Sequence, residues 1–138
     1  MDALDPVNVI DSFNAAANNH NLTDAMDLFS DDSEVRLEPP PPPPDREVYR
    51  GEHEIRDWLH GLFQEKLHIR ASNFHVSGNE VTWQTEISAD RYRRMGIDPL
   101  KTSNKAVLWG ALIRSMTMTF SQEALHRMRQ AAAQRQSQ

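Results

Sequence analysis

Between residues 81 and 89 the chain alternates with a strict period of two. Val81, Trp83, Thr85, Ile87 and Ala89 fall on one side, and Thr82, Gln84, Glu86 and Ser88 on the other. A helix would scatter these residues around its axis, whereas a strand with one buried face sorts them. Such a strand needs strand neighbours and a second layer over its apolar face. The neighbours are legible. Leu67, Ile69 and Ala71 alternate in one phase and Phe74 and Val76 in the other, so a bulge or bend is expected near Ser72. Ser77-Gly78-Asn79 reads as a hairpin turn. Beyond an irregular stretch at Met95-Gly96-Ile97-Asp98-Pro99, a strand runs through Ala106, Val107 and Leu108 and turns at Gly110. In the last strand Met116, Met118 and Phe120 alternate with Thr117 and Thr119. Earlier, Val35 and Leu37 alternate with Glu34, Arg36 and Glu38.

Helical patterns supply the covering layer. Asp5-Pro6 reads as an N-cap followed by a proline at the first helical position, with Val9, Ile10, Phe13 and Ala17 at helical spacing. Asn18-Asn19-His20-Asn21 ends that run. A shorter helix follows, carrying Leu22, Ala25, Met26 and Phe29 on one face until Ser30-Asp31-Asp32-Ser33 breaks it. Arg50-Gly51-Glu52 introduces the strongest helix, whose stripe is Ile55, Trp58, Leu59, Leu62 and Phe63. Its opposite face carries His53, Asp57, His60 and Gln64, which reads as a solvated surface rather than a metal site. Ser121 caps a final helix with Leu125, Met128 and Ala132, and fraying is expected from about residue 130. Pro39 to Pro44 is an unbroken proline run that favours a stiff extension of roughly 18 Å, read as a loop inside one domain spanning residues 1–138.

Composition narrows the function classes. Cysteine is absent, which excludes disulfides, thiolate catalysis and zinc-thiolate sites. Twenty acids against fifteen bases give a net charge of −5, unsuited to a phosphate backbone. Arg91-Tyr92-Arg93-Arg94 joins bases with an aromatic, but in so acidic a chain it reads as a solvated strand end. No apolar run is long enough to span a membrane, and Met1-Asp2-Ala3-Leu4-Asp5 has neither a basic segment nor an apolar core. The expectation is a cytoplasmic protein with no metal, no cofactor, no nucleic acid and no membrane partner.

The order helix, helix, strand, helix and then successive antiparallel strands defines an α+β domain. Its curved sheet, covered by the N-terminal helices, forms a cone, and a C-terminal helix follows. Three segments carry a likeness: Leu28-Phe29-Ser30-Asp31-Asp32, Tyr49-Arg50-Gly51, and Ser115-Met116-Thr117-Met118-Thr119-Phe120. With that order they resemble the nuclear-transport-factor-2-like superfamily, of cystatin-like or SnoaL-like fold. It includes SnoaL-like polyketide cyclases, ketosteroid isomerases and limonene-epoxide hydrolases. None of the three segments is a catalytic signature, so fold alone does not decide activity.

The resemblance implies where chemistry would sit. The acid–base triad of the epoxide hydrolases falls on Thr85, Ile87 and Met118, none of which transfers a proton at neutral pH, so that activity is disfavoured. The strand-end base of the ketosteroid isomerases falls on Glu38, the candidate catalytic residue, while their donor tyrosine matches Phe13 and their donor aspartate lies near Asn104. The Asp that SnoaL-like cyclases use has no counterpart beyond Asp98. The expected function is a pocket protein that binds an apolar metabolite and acts as an isomerase or cyclase through Glu38. Phe13, Asn14, Trp58, Trp83, Thr85, Ile87 and Met118 are its candidate ligand-binding residues. The alternative is a non-catalytic dimeric module whose cone those same side chains fill. A cavity of at least about 300 Å³ would favour binding and a dry, closed cone the module. A homodimer is expected in either case, because Ala106 and Leu108 occupy one strand face while Val107 and Trp109 occupy the other.

Overall fold

The computed structural model describes residues 5–41 and 46–136. The elements are α1 (Pro6–Asn18), α2 (Leu22–Met26), β1 (Phe29–Glu38), β2 (Val48–Arg50), α3 (Gly51–Phe63), β3 (His68–Ser77), β4 (Glu80–Ser88), α4 (Asp90–Arg94), β5 (Leu100–Trp109), β6 (Leu112–Phe120) and α5 (Gln122–Gln136). The six strands form one sheet in the order β2-β1-β6-β5-β4-β3. Neighbours pair antiparallel except β1 and β6, which run parallel. The α1 helix packs on β3 and β4, and α3 packs on β1 and β2.

Local chemistry explains the starts and stops. The Asp5 carboxylate accepts from the Val7 N–H at 3.0 Å and Pro6 occupies the first helical position. The asparagine-rich segment after α1 has separate duties. Asn18 exchanges two bonds with the Ile69 backbone, at 2.9 and 2.7 Å, and so covers the edge strand β3. Asn21 caps α2 by accepting from the Asp24 N–H at 3.0 Å. The bulge expected near Ser72 lies between Ser72 and His75, with Asn73 at a φ of 58°. Gly78 and Gly110 stand at positive φ in the two hairpin turns.

Two expectations need correction, and two further features stand beside them. Phe29 to Ser33 is the start of β1 rather than a helix end, because pairing with β6 overrides local propensity. Phe29 registers with Ile113, and Ser33 Oγ donates to the Ile113 carbonyl at 2.6 Å. Arg91–Arg94 belongs to a helical turn, α4, with Tyr92 buried, and is not a solvated strand end. A short strand, β2, precedes α3, and its pairing with β1 brings the ends of the proline loop together through a 2.7 Å bond from Leu37 N–H to the Glu47 carbonyl. The last helix continues past residue 130 to Gln136. Pro42–Pro44, within the expected stiff extension, lie outside the described residues.

Candidate functional site

The concave side of the sheet, closed by α1, α3 and α4, surrounds one apolar cavity of about 40 Å³. That is room for a few water molecules, well below a typical small-molecule pocket. Sheet register builds its floor. Trp83 on β4 pairs with Asn104 on β5, Asn104 with Met118 on β6, and Met118 with Leu37 on β1. Side chains in one such row point to the same face, so these four residues stand side by side under the helices. The next row begins with Thr85 opposite Thr102 and Thr102 opposite Phe120. From above, α1 contributes Phe13 and Asn14, α3 contributes Trp58, Leu59 and Leu62, and α4 contributes Tyr92.

All seven residues selected as ligand-binding candidates line this cavity: Phe13, Asn14, Trp58, Trp83, Thr85, Ile87 and Met118. Glu38 does not. It follows Leu37 on β1, and strand alternation turns it to the opposite face, where its half-exposed side chain lies 4.0 Å from Arg36. There it joins Glu34, Glu47 and Arg50 in an ion-pair group around Arg36 on the outer face. Within that group, hydrogen bonding from Arg50 leads the effects that hold the Glu34 carboxyl below its usual range, against burial. The exposed α3 face keeps His53 3.5 Å from Asp57. No group of three or more metal-ligating side chains occurs among the described residues.

Inside the cone the polar atoms fall into two sets. Asn104 Nδ2 donates to Thr85 Oγ1 at 3.1 Å, and Thr102 Oγ1 donates to Asn104 Oδ1 at 2.9 Å. Because the Thr102 proton is committed to Asn104, the 2.5 Å contact between the two hydroxyls is a bond donated by Thr85. The three side chains thus form a closed, neutral ring of hydrogen bonds. The second set lacks protein partners: Asn14 Nδ2 and Trp83 Nε1 are buried without an acceptor. Among the residues that line the cavity there is no carboxylate, imidazole, ammonium or guanidinium, and the only ionisable group is the Tyr92 phenol.

Tyr92 enters the wall because α4 is clamped. Glu65, just beyond α3, accepts from the Arg91 backbone N–H at 2.8 Å and from its Nε and Nη2 at 3.0 Å each. Burial would raise the Glu65 carboxyl, but the bonds from Arg91 and the charges of Arg91 and Arg94 outweigh it and hold the group below its ordinary range.

Tyr92, Thr102, Met116 and Phe120 were not singled out as site residues from the sequence. Thr102 and Asn104 share a buried face with Leu100, Ala106 and Leu108, and that ten-residue alternation was the available signal. Two polar residues on the inward side disguise it.

A curved sheet closed by helices over an internal cavity defines a cone-shaped α+β domain of the nuclear-transport-factor-2-like type. The chain belongs to the SnoaL-like domain family, whose signature matches residues 10–117. No curated protein matches it in sequence. Among solved structures it is similar to an NTF2-like protein of unknown function from Cytophaga hutchinsonii, with 14% identity, 91% of this chain and 99% of that chain covered, and a TM-score of 0.69. It is also similar to RV0760c from Mycobacterium tuberculosis, with 12% identity, coverage of 90% and 97%, and a TM-score of 0.74. A third similar structure is SalBIII, described as an epoxide hydrolase/cyclase-like enzyme in pyran ring formation in polyether salinomycin. It has 12% identity, coverage of 86% and 92%, and a TM-score of 0.71. At these identities the likeness establishes the fold alone.

Proposed function

We propose that the protein binds a small, largely apolar molecule inside the cone and does so without carboxylate or histidine acid–base chemistry. The observation that carries this reading is the pair of buried, unpartnered donors, Asn14 Nδ2 and Trp83 Nε1, in a cavity lined mainly by apolar side chains. An unpaired buried donor costs about 1–3 kcal/mol, a cost that a cone serving only as core has no reason to carry. The relatives supply the precedent of a cone put to use, and the missing acid–base groups distinguish this one. Met116 and Met118 in the wall have side chains soft enough to yield space to a guest. Titration calorimetry with cyclohexanone and with methylenecyclohexane tests the reading. Saturable one-to-one binding of at least one probe is expected, and no heat from either at millimolar concentration would refute it.

The small free volume, about 40 Å³, favours the second reading of a filled, non-catalytic module. Failure of both probes would select it.

The working unit in this proposal is a homodimer. Among the described residues Val76 and Trp109 are the exposed large hydrophobic ones, 47% and 58% accessible, and both adjoin the hairpin turns at one end of the sheet. Sedimentation at micromolar concentration should give twice the chain mass, and Trp109→Glu should halve it. A monomeric wild-type protein would refute the assembly.

A further inference from the structure

We infer that the cone selects a neutral ligand bearing a hydrogen-bond acceptor, such as a carbonyl or ether oxygen, and seats that oxygen on Asn14 Nδ2 and Trp83 Nε1. This rests on the reading that the cone binds a small molecule, and it specifies the chemistry of the guest. Asn14 and Trp83 are 8% and 3% exposed, and the two unpartnered nitrogens belong to side chains that line the same cavity from α1 and β4. Both atoms are donors only, so what completes them is an acceptor. The hydroxyl protons of the sheet floor are not in competition, since those of Thr85 and Thr102 stay within the Thr85–Thr102–Asn104 ring.

Charge is excluded by the lining. With no cationic or anionic side chain in the wall, a carboxylate or ammonium head would be desolvated without a counter-charge, at far greater cost than a neutral oxygen. A hydrocarbon guest fits the apolar wall but leaves both donors unpaired, so it loses what an acceptor gains. The position opposite Trp83 on β5 is Asn104, already held in the ring. The guest oxygen therefore meets two fixed donors beside a neutral floor that gives up no hydroxyl proton. This arrangement orients a carbonyl without protonating it.

The test compares cyclohexanone with methylenecyclohexane, which replaces the carbonyl oxygen with CH2 in nearly the same shape. Because the two differ in hydration, the readout is the ratio of their affinities across protein variants, which cancels the solvent contribution. Asn14→Leu and Trp83→Phe should each lower the ketone-to-alkene ratio at least tenfold, mainly by weakening the ketone. A ratio unchanged in both variants would overturn the inference while leaving binding itself intact. If neither probe binds the wild-type protein, the binding reading fails first and the inference falls with it. An independent measurement needs no substitution: in the unaltered protein, the indole N–H resonance of Trp83 should move downfield on saturation with ketone and stay in place with alkene. Equal responses to the two probes would overturn the inference even if both variants failed to fold.

Discussion

Replacing Glu65 with alanine tests how the cavity wall is held. Its carboxylate receives three bonds from Arg91, one from the backbone and two from the guanidinium, and Arg94 Nη2 stands 3.8 Å away. The Arg91 and Glu65 side chains are 14% and 23% exposed, so neither is fully screened by water. Breaking a fully buried ion pair by removing one partner costs about 3–5 kcal/mol. Discounted for that exposure, about 2–3 kcal/mol is expected for Glu65→Ala. For Glu65→Gln, which keeps an acceptor oxygen, about 1 kcal/mol is expected. In a chain of 138 residues each kcal/mol corresponds to about 3–4 °C in Tm, so the alanine variant should melt about 6–12 °C lower. Urea unfolding gives the free energy, and amide exchange should show α4 opening more often while the β4–β5 ladder stays protected. An alanine variant within about 0.5 kcal/mol of wild type would refute the argument. The pH dependence follows with a definite sign. The folded-state carboxyl of Glu65 lies below its ordinary value, so its stabilisation is present above about pH 4.3 and is lost as the pH falls through the lower folded-state value. Glu65→Gln should flatten that acid limb of the stability profile.

Asn14→Leu, nearly isosteric, removes an unpartnered buried amide and should raise unfolding stability by about 1 kcal/mol, measured by urea denaturation. A loss of stability would mean that the amide is paired in solution. Glu38→Gln should leave stability within about 0.5 kcal/mol and probe binding unchanged, because this carboxylate lies on the outer face of β1. A tenfold loss of probe affinity in that variant would place Glu38 in the site after all.

What could be read in advance divides along physical lines. The α1 cap, the α3 stripe and the β4 alternation are local signals, expressed within one or two turns or along one strand, and the structure reproduces them. The slip near Ser72 was legible for the same reason, since a change of phase is visible in the pattern itself. Phe29 to Ser33 was misread because its conformation is set by Ile113 on a strand far along the chain. Arg91–Arg94 looked like a solvated basic run because its helix depends on Glu65, distant in sequence and acidic in a chain rich in acids. At the cavity, Asn14 and Thr85 were found by following the faces of α1 and β4. Thr102 was not, because a polar residue on an inward face is indistinguishable from an outward one until register assigns it. Glu38 was chosen by analogy with a strand-end base, and alternation from Leu37 places it outside.

The two polar sets within the cone differ in what they cost. The Thr85–Thr102–Asn104 ring satisfies its own hydroxyl protons, so it sits in an apolar setting at little expense and fixes the strand faces that carry it. Asn14 and Trp83, by contrast, leave donors open in the same space. If the cone were only a packed interior, leucine and phenylalanine would occupy those positions without desolvating a single N–H. Stability surrendered at two side chains that line one cavity supports a site that waits for an acceptor. Of the positions to which the resemblance assigns proton-transfer groups, Glu38 lies on the outer face of β1, and those at the cavity hold Phe13, Thr85, Ile87, Asn104 and Met118. None of these exchanges a proton at neutral pH. In the proposed site the sheet therefore positions a neutral floor and two donors, an arrangement suited to holding a carbonyl oxygen.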